Sequence, residues 1–159
     1  MVGVMGPGEA ARQEDVDLAF ELGGLIAREG WVLLTGGWRS GVMDAASRGA
    51  KAAGGLVVGV LPTPDTEGMS DAVDIPILTG MREARNLINV LSSRVLFFVG
   101  MSAGTASELA LALKTGRPVI LVRPSEDVLR AFSAIAGGRI ESALGAEEAL
   151  SVAKLLLEK

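Results

Sequence analysis

Short apolar runs alternate along the chain with longer segments in which apolar residues return every three or four positions. The runs at residues 2–5, 31–35, 56–62, 95–100 and 118–122 predict strands, and residues 73–78 a further short one. The periodic segments predict helices over 11–29, 41–53, 81–93, 105–115, 125–135 and 146–158. In the first of these, Leu18, Leu22, Leu25 and Ile26 make one stripe. Gly30, Gly54-Gly55 and Gly116 stop helices, and Pro62 stops a strand. The polar stretch 63–72, with Pro64 and Gly68, reads as a loop. Strands that are apolar throughout, rather than at alternate positions, belong to a sheet covered on both faces. With strands and helices alternating, the pattern predicts one α/β domain over residues 1–159, a Rossmann-like doubly wound parallel sheet.

Glycine punctuates this pattern unevenly. Gly6-Pro7-Gly8, Gly36-Gly37 with Gly41, and Gly100 with Gly104 each follow a predicted strand and lead towards a helix. In a doubly wound sheet such loops lie along the carboxyl edge, where ligands bind. Bare backbone N–H groups and the positive ends of helix dipoles suit that edge to phosphate. As turn punctuation alone, the same glycines would need no ligand. "GPGEAA" (6–11) matches the dinucleotide pattern G-x-G-x-x-A. The second strand, however, ends in Thr35-Gly36-Gly37 and lacks the acidic residue that holds a ribose, which argues against NAD. The Walker pattern G-x-x-x-x-G-K-[ST] is absent too.

Composition narrows the chemistry. The chain has no Cys, no His and no Tyr, which leaves carboxylates, Lys, Arg or water to move protons. No metal site and no resident cofactor is expected from that residue set. A net charge of −4 without a basic tract argues against nucleic acid as a partner. No apolar run approaches the roughly 18 residues of a membrane span, and "MVGVMGPGEA" lacks the basic start of a signal peptide. A cytoplasmic protein with no membrane partner is expected.

Three segments carry a resemblance: "TGGWRSGVMDAASRGAKAAGGLVVGVLP" (35–62), "MREARNLINVLSSRVLFFVG" (81–100) and "AGTASE" (103–108). In this order they resemble the Lonely Guy (LOG) family, often mislabelled lysine decarboxylase. The short chain and "RNLINVLSS" are most similar to a prokaryotic branch related to molybdenum-cofactor carrier proteins. The resemblance implies a dimeric Rossmann-like protein that binds a nucleoside 5′-monophosphate-like ligand at the strand carboxyl ends. It implies one of two roles: phosphoribohydrolase cleavage of the ligand's N-glycosidic bond, or non-catalytic carriage or sensing of a phosphorylated ligand such as molybdenum cofactor.

The family motif G-G-x-x-x-G-x-M is complete in Gly36, Gly37, Gly41 and Met43. Its Arg-Lys pair and its P-G-G-x-G-T-x-x-E motif are matched by Arg85, Gly104, Thr105 and Glu108. Asn86 stands at the lysine's place, and Gly100-Met101-Ser102 at P-G-G. The resemblance thus implies Arg85 and Glu108 as catalytic residues. The glycine loops add Gly6, Gly8 and Arg39 to the ligand-binding candidates, Ser102 contributes a hydroxyl, and the helix 81–93 contributes Asn86 and Asn89. The decarboxylase label lacks support: a pyridoxal enzyme needs a Schiff-base lysine in its site, and Lys51, Lys114, Lys154 and Lys159 all fall in or at the ends of predicted helices.

The same residues have plainer readings. Thr105-x-x-Glu108 is also a capping box, in which Thr105 caps the helix and Glu108 returns to the cap N–H. The alternative is that Glu108 stabilises the positive charge that builds on a sugar ring as its N-glycosidic bond breaks. Arg82, Arg85, Asn86 and Asn89 form a polar stripe opposite Ala84, Leu87, Ile88 and Leu91. That stripe is either a solvated face or a set of ligand contacts, with Arg85 forked onto a phosphate or base and paired with Glu108 in the empty site. The helix 105–115 is apolar nearly all round and needs cover on both sides. The cover is either a second subunit, giving a homodimer or higher homo-oligomer, or residues 125–158.

Overall fold

The computed structural model describes residues 1–137 and 140–158; Lys159 lies outside them. The first half of the chain runs β1 (Val2–Met5), α1 (Gln13–Arg28), β2 (Leu33–Thr35), α2 (Gly41–Ala52), β3 (Val57–Leu61) and β4 (Ile75–Leu78). A 3-10 turn (Arg82–Arg85) then leads directly into α3 (Asn86–Ser92). The rest is β5 (Leu96–Val99), α4 (Ala103–Lys114), β6 (Val119–Val122), α5 (Glu126–Ala136), β7 (Ile140–Ala143) and α6 (Ala146–Leu157). The seven strands form one parallel sheet in the order β4-β3-β2-β1-β5-β6-β7. The strand order reverses between β1 and β5. Beyond the carboxyl ends at such a reversal lies the crevice where doubly wound sheets bind ligands.

Both faces of the central strands are covered, as their continuous apolar runs require, whereas β4 at the sheet edge is exposed at all four positions. Alternate residues point to opposite sides. Val4, Phe97, Val99 and Ile120 pack with Leu18, Leu22 and Ile26 of α1, Val42 and Ala45 of α2, and Ala149 of α6. Met5, Leu34, Phe98 and Leu121 pack instead with Val90 of α3 and with Leu109 and Leu113 of α4. The central strands therefore read as unbroken apolar runs. No helix among the described residues is long and apolar enough to cross a membrane.

Three local features depart from the sequence pattern. First, β7 sits where no strand was expected, paired with β6 at the edge of the sheet. It leaves Glu141 and Ser142 exposed, so it carries no continuous apolar run. Secondly, the expected helix 81–93 is split. Arg82 takes a left-handed φ of +49°, and regular α-helix begins only at Asn86. Thirdly, α4 starts at Ala103, two residues before the expected start, and this moves its cap.

Candidate functional site

The loops after β1 and β2, the start of α4 and the 3-10 turn enclose a cavity of about 320 Å³. Its walls include Gly6 and Gly8, Gly36 and Met43, Arg85 and Asn86, and Ser102, Gly104, Thr105 and Glu108. Ten of the fourteen candidate residues thus meet in one place, although they come from four separate parts of the chain. The remaining four stand outside the lining. Asn89 is fully buried behind Glu108. Gly37, with φ +78°, packs on Gly59 and Leu61. Gly41 joins two loops: a Cβ there would lie 2.1 Å from the Gly8 carbonyl oxygen, so only glycine allows the loop after β2 to touch the loop after β1. Arg39 points away, donating to the Met69 carbonyl and to Asp71.

Glu108 is not the cap of its helix. Ser102 is the N-cap, its Oγ accepting from the Thr105 N–H at 3.2 Å, and Thr105 Oγ1 lies 2.9 Å from Ser102 Oγ. This corrects the capping-box reading. The helix begins early enough that Glu108 falls in its second turn, beyond reach of the cap N–H. Its carboxylate instead accepts from Asn89 Nδ2 at 2.8 Å and lies 3.9 Å from Arg85 Nη1. Both partners of this ion pair are buried, Glu108 at 7% exposure and Arg85 at 8%. Burial pushes the Glu108 carboxyl above the usual carboxylate range, against the opposing pull of the Asn89 hydrogen bond and the Arg85 charge. Burial likewise lowers Arg85, while Glu108 and Glu83 oppose it.

The polar stripe of the 81–93 segment is turned inward. Arg85, Asn86 and Asn89 are buried, whereas Leu87 and Leu91 are 39% and 46% exposed. The solvated-face reading of these three residues is therefore corrected; of the stripe, only Arg82 is exposed. The cause is the cavity and Glu108 beside it, which give buried polar groups something to bond. Asn86, at the position of the family's lysine, donates to Ser107 Oγ at 2.9 Å. Two buried polar atoms here have no partner among the described residues: Arg85 Nε and Asn89 Oδ1. Buried polar groups are normally satisfied, so these two atoms keep hydrogen-bonding capacity next to the cavity.

Several lining residues were not singled out from the sequence. Trp38 stands at the cavity wall, its ring against Gly68, and offers a flat apolar surface. Its place inside the glycine loop 36–41 was the available signal. Arg82 and Glu83 bring one charge of each sign to the cavity wall. Among the described residues no lysine lines this cavity. The assembled site offers a buried guanidinium, the start of α4 with its hydroxyls, a desolvated carboxylate and an indole ring. Such a set can hold an anionic group at one end and a flat ring at the other.

Residues 1–150 match the sequence model of the SLOG cluster4 family. The chain belongs to that family. Two solved structures show how closely this SLOG chain follows its relatives. It is similar to the molybdenum cofactor binding protein of Rippkaea orientalis, at 49% identity and a TM-score of 0.97, over 98% of this chain and 96% of that one. It is also similar to the molybdenum cofactor carrier protein of Chlamydomonas reinhardtii, at 50% identity and a TM-score of 0.94, over 99% and 98% of the two chains. More distantly, it is 31% identical over 120 residues to a cytokinin riboside 5′-monophosphate phosphoribohydrolase of Mycobacterium tuberculosis. That match covers 70% of this chain and 64% of the enzyme. The resemblance to the LOG superfamily and its carrier branch therefore holds at the level of the family.

Proposed function

We propose that this protein is a carrier that holds a phosphorylated ligand of the molybdenum-cofactor kind in the Glu108 cavity without cleaving it. The observation that carries this reading is the similarity, over nearly the whole of each chain, to two proteins named for binding or carrying that cofactor, at 49% and 50% identity. The local chemistry supports it. Ser102 and Thr105 spend hydroxyl bonds on each other, and Asn86 supplies no charge where LOG enzymes have lysine. The ligand's anionic end would meet Arg85 and the start of α4, and its ring would lie towards Trp38. In the same reading the protein is a cytoplasmic homodimer, paired through α3 and α4, where Leu87 and Leu91 leave an apolar face open.

A second reading, a nucleoside 5′-monophosphate phosphoribohydrolase, is favoured by the buried Arg85–Glu108 pair and by the similarity to the mycobacterial enzyme. One experiment separates the two. Protein purified from its source is denatured and the released small molecules are identified by mass spectrometry, while the native protein is incubated with the common nucleoside monophosphates and free base is measured. A phosphorylated pterin released with no base formed supports the carrier. Steady release of base, falling ~10²-fold in Glu108→Gln, supports the hydrolase and overturns the carrier.

A further inference from the structure

A second cavity opens on the same carboxyl edge, across the ridge where the loop after β1 meets the loop after β5. It measures about 220 Å³, less than the roughly 300–1,000 Å³ of sites that enclose a whole drug-sized ligand. It suits a single ring system. Phe98 and Leu121, at the ends of β5 and β6, and Val128 of α5 give it an apolar lining.

Its polar groups are unusual. Asp15 is only 5% exposed, although carboxylates are rarely buried. The loop after β5 is shaped around it: Gly100 has φ +69°, and a Cβ there would lie 2.8 Å from Asp15 Oδ2. The carboxylate accepts from Arg12 Nε at 3.1 Å and Nη2 at 3.3 Å. The Arg12 side chain is 65% exposed and also reaches Glu14 at 2.8 Å; a ligand that takes its place must satisfy both Asp15 oxygens, because a buried carboxylate left without a partner is costly. Arg123 also lines the cavity, at a left-handed φ of +50° and with a loose 3.6 Å approach to Glu14. Non-glycine residues rarely adopt this conformation, and it concentrates at ligand clamps.

We propose that this cavity is a binding site for the 2-amino-4-oxopyrimidine edge shared by guanine and pterin rings, read by the Asp15 carboxylate. The two adjacent N–H donors of that edge match the two carboxylate oxygens as the Arg12 guanidinium does now. The ring rests on Phe98, Leu121 and Val128, and Arg123 stacks over it. Adenine sets a ring acceptor beside its amino group and cannot satisfy both oxygens. The site is independent of what the Glu108 cavity holds.

The test uses phosphate-free probes, so that the first cavity's anion contacts play no part. Guanosine, 6-hydroxymethylpterin and adenosine are titrated into the protein by calorimetry. Guanosine, the pterin or both are expected to bind at least tenfold more tightly than adenosine, and the preference between them names the source of the ring. Asp15→Asn should weaken that binding at least tenfold. Val128→Phe fills the cavity from a half-exposed position and should abolish it with the melting transition retained. If Asp15→Asn does not fold, Val128→Phe decides. No binding at millimolar concentration overturns the proposal, as does adenosine binding equally well. So does ring binding that survives Val128→Phe and is lost in Glu108→Gln, which would move the ring to the first cavity.

Discussion

Arg85 and Glu108 are 3.9 Å apart in a nearly dry setting. A buried ion pair of such open geometry gains little attraction against the desolvation of both charges. Arg85→Met combined with Glu108→Gln is therefore expected to leave stability unchanged or raised. Arg85→Met alone leaves the carboxylate buried without its cation and should lose about 3 kcal/mol. Urea unfolding of wild type, the single variants and the double variant checks both. Stability should also depend on pH with a definite sign. Folded Glu108 keeps its proton above the pH at which the unfolded side chain loses it. Its contribution is complete below the ordinary carboxylate range and is lost as pH rises through the raised value. Wild-type stability relative to Glu108→Gln should fall across that interval, and a difference that grew with pH would contradict the burial argument. Gly36 supports the same guanidinium. A Cβ there would lie 2.7 Å from Arg85 Nη1 and 2.6 Å from Met43 Sδ, both at or near the ends of flexible side chains. Gly36→Ala should weaken binding of inorganic phosphate about tenfold, or ~1.4 kcal/mol, while the unfolding midpoint barely moves. Calorimetric titration reads the first and a thermal melt the second.

At the scale of elements, two helices behave differently from their sequence patterns, and both differences serve the site. The start of α4 at Ala103 gives Ser102 the capping role and frees Glu108 for Asn89. Ser102→Ala should cost about 1 kcal/mol of stability in urea unfolding. A loss of only a few tenths would mean that another group satisfies the Thr105 N–H. The α3 segment is amphipathic in the ordinary sense, yet its polar side is the buried one. Periodicity shows that a helix has two faces but does not say which faces the core. The sign is decided by the neighbours, here Glu108 and Ser107 on α4.

At the scale of the whole molecule, that inversion leaves apolar surface without cover. Leu87 of α3 lies beside Ala110 and Leu111 of α4, and both Leu87 and Leu91 are exposed. Exposed apolar patches of this kind mark association surfaces. Light scattering at micromolar concentration should find a dimer or larger assembly, and Leu91→Glu should reduce it to a monomer that keeps its melting transition. A monomeric wild type would remove this face as the interface.

The sequence by itself determined the architecture. Unbroken apolar runs such as 57–61 and 96–99 require cover on both sides, and alternation with helices orders them into a parallel sheet. It also determined which loops meet around the cavity, because the glycines after β1, β2 and β5 all fall at strand carboxyl ends. These are local properties of composition and spacing. The tertiary structure alone decided the rest. Nothing in residues 105–108 tells whether Glu108 bonds its own helix or a residue nineteen positions earlier. Nothing near Arg39 shows that Asp71 holds it outside the cavity. The β7 edge carries too little apolar signal to be read as a strand. Asp15 looks like an ordinary acidic residue in the first turn of a helix until Gly100, distant in sequence, closes over it. Each of these depends on contacts between segments far apart along the chain, and pattern within one segment carries no information about its partner.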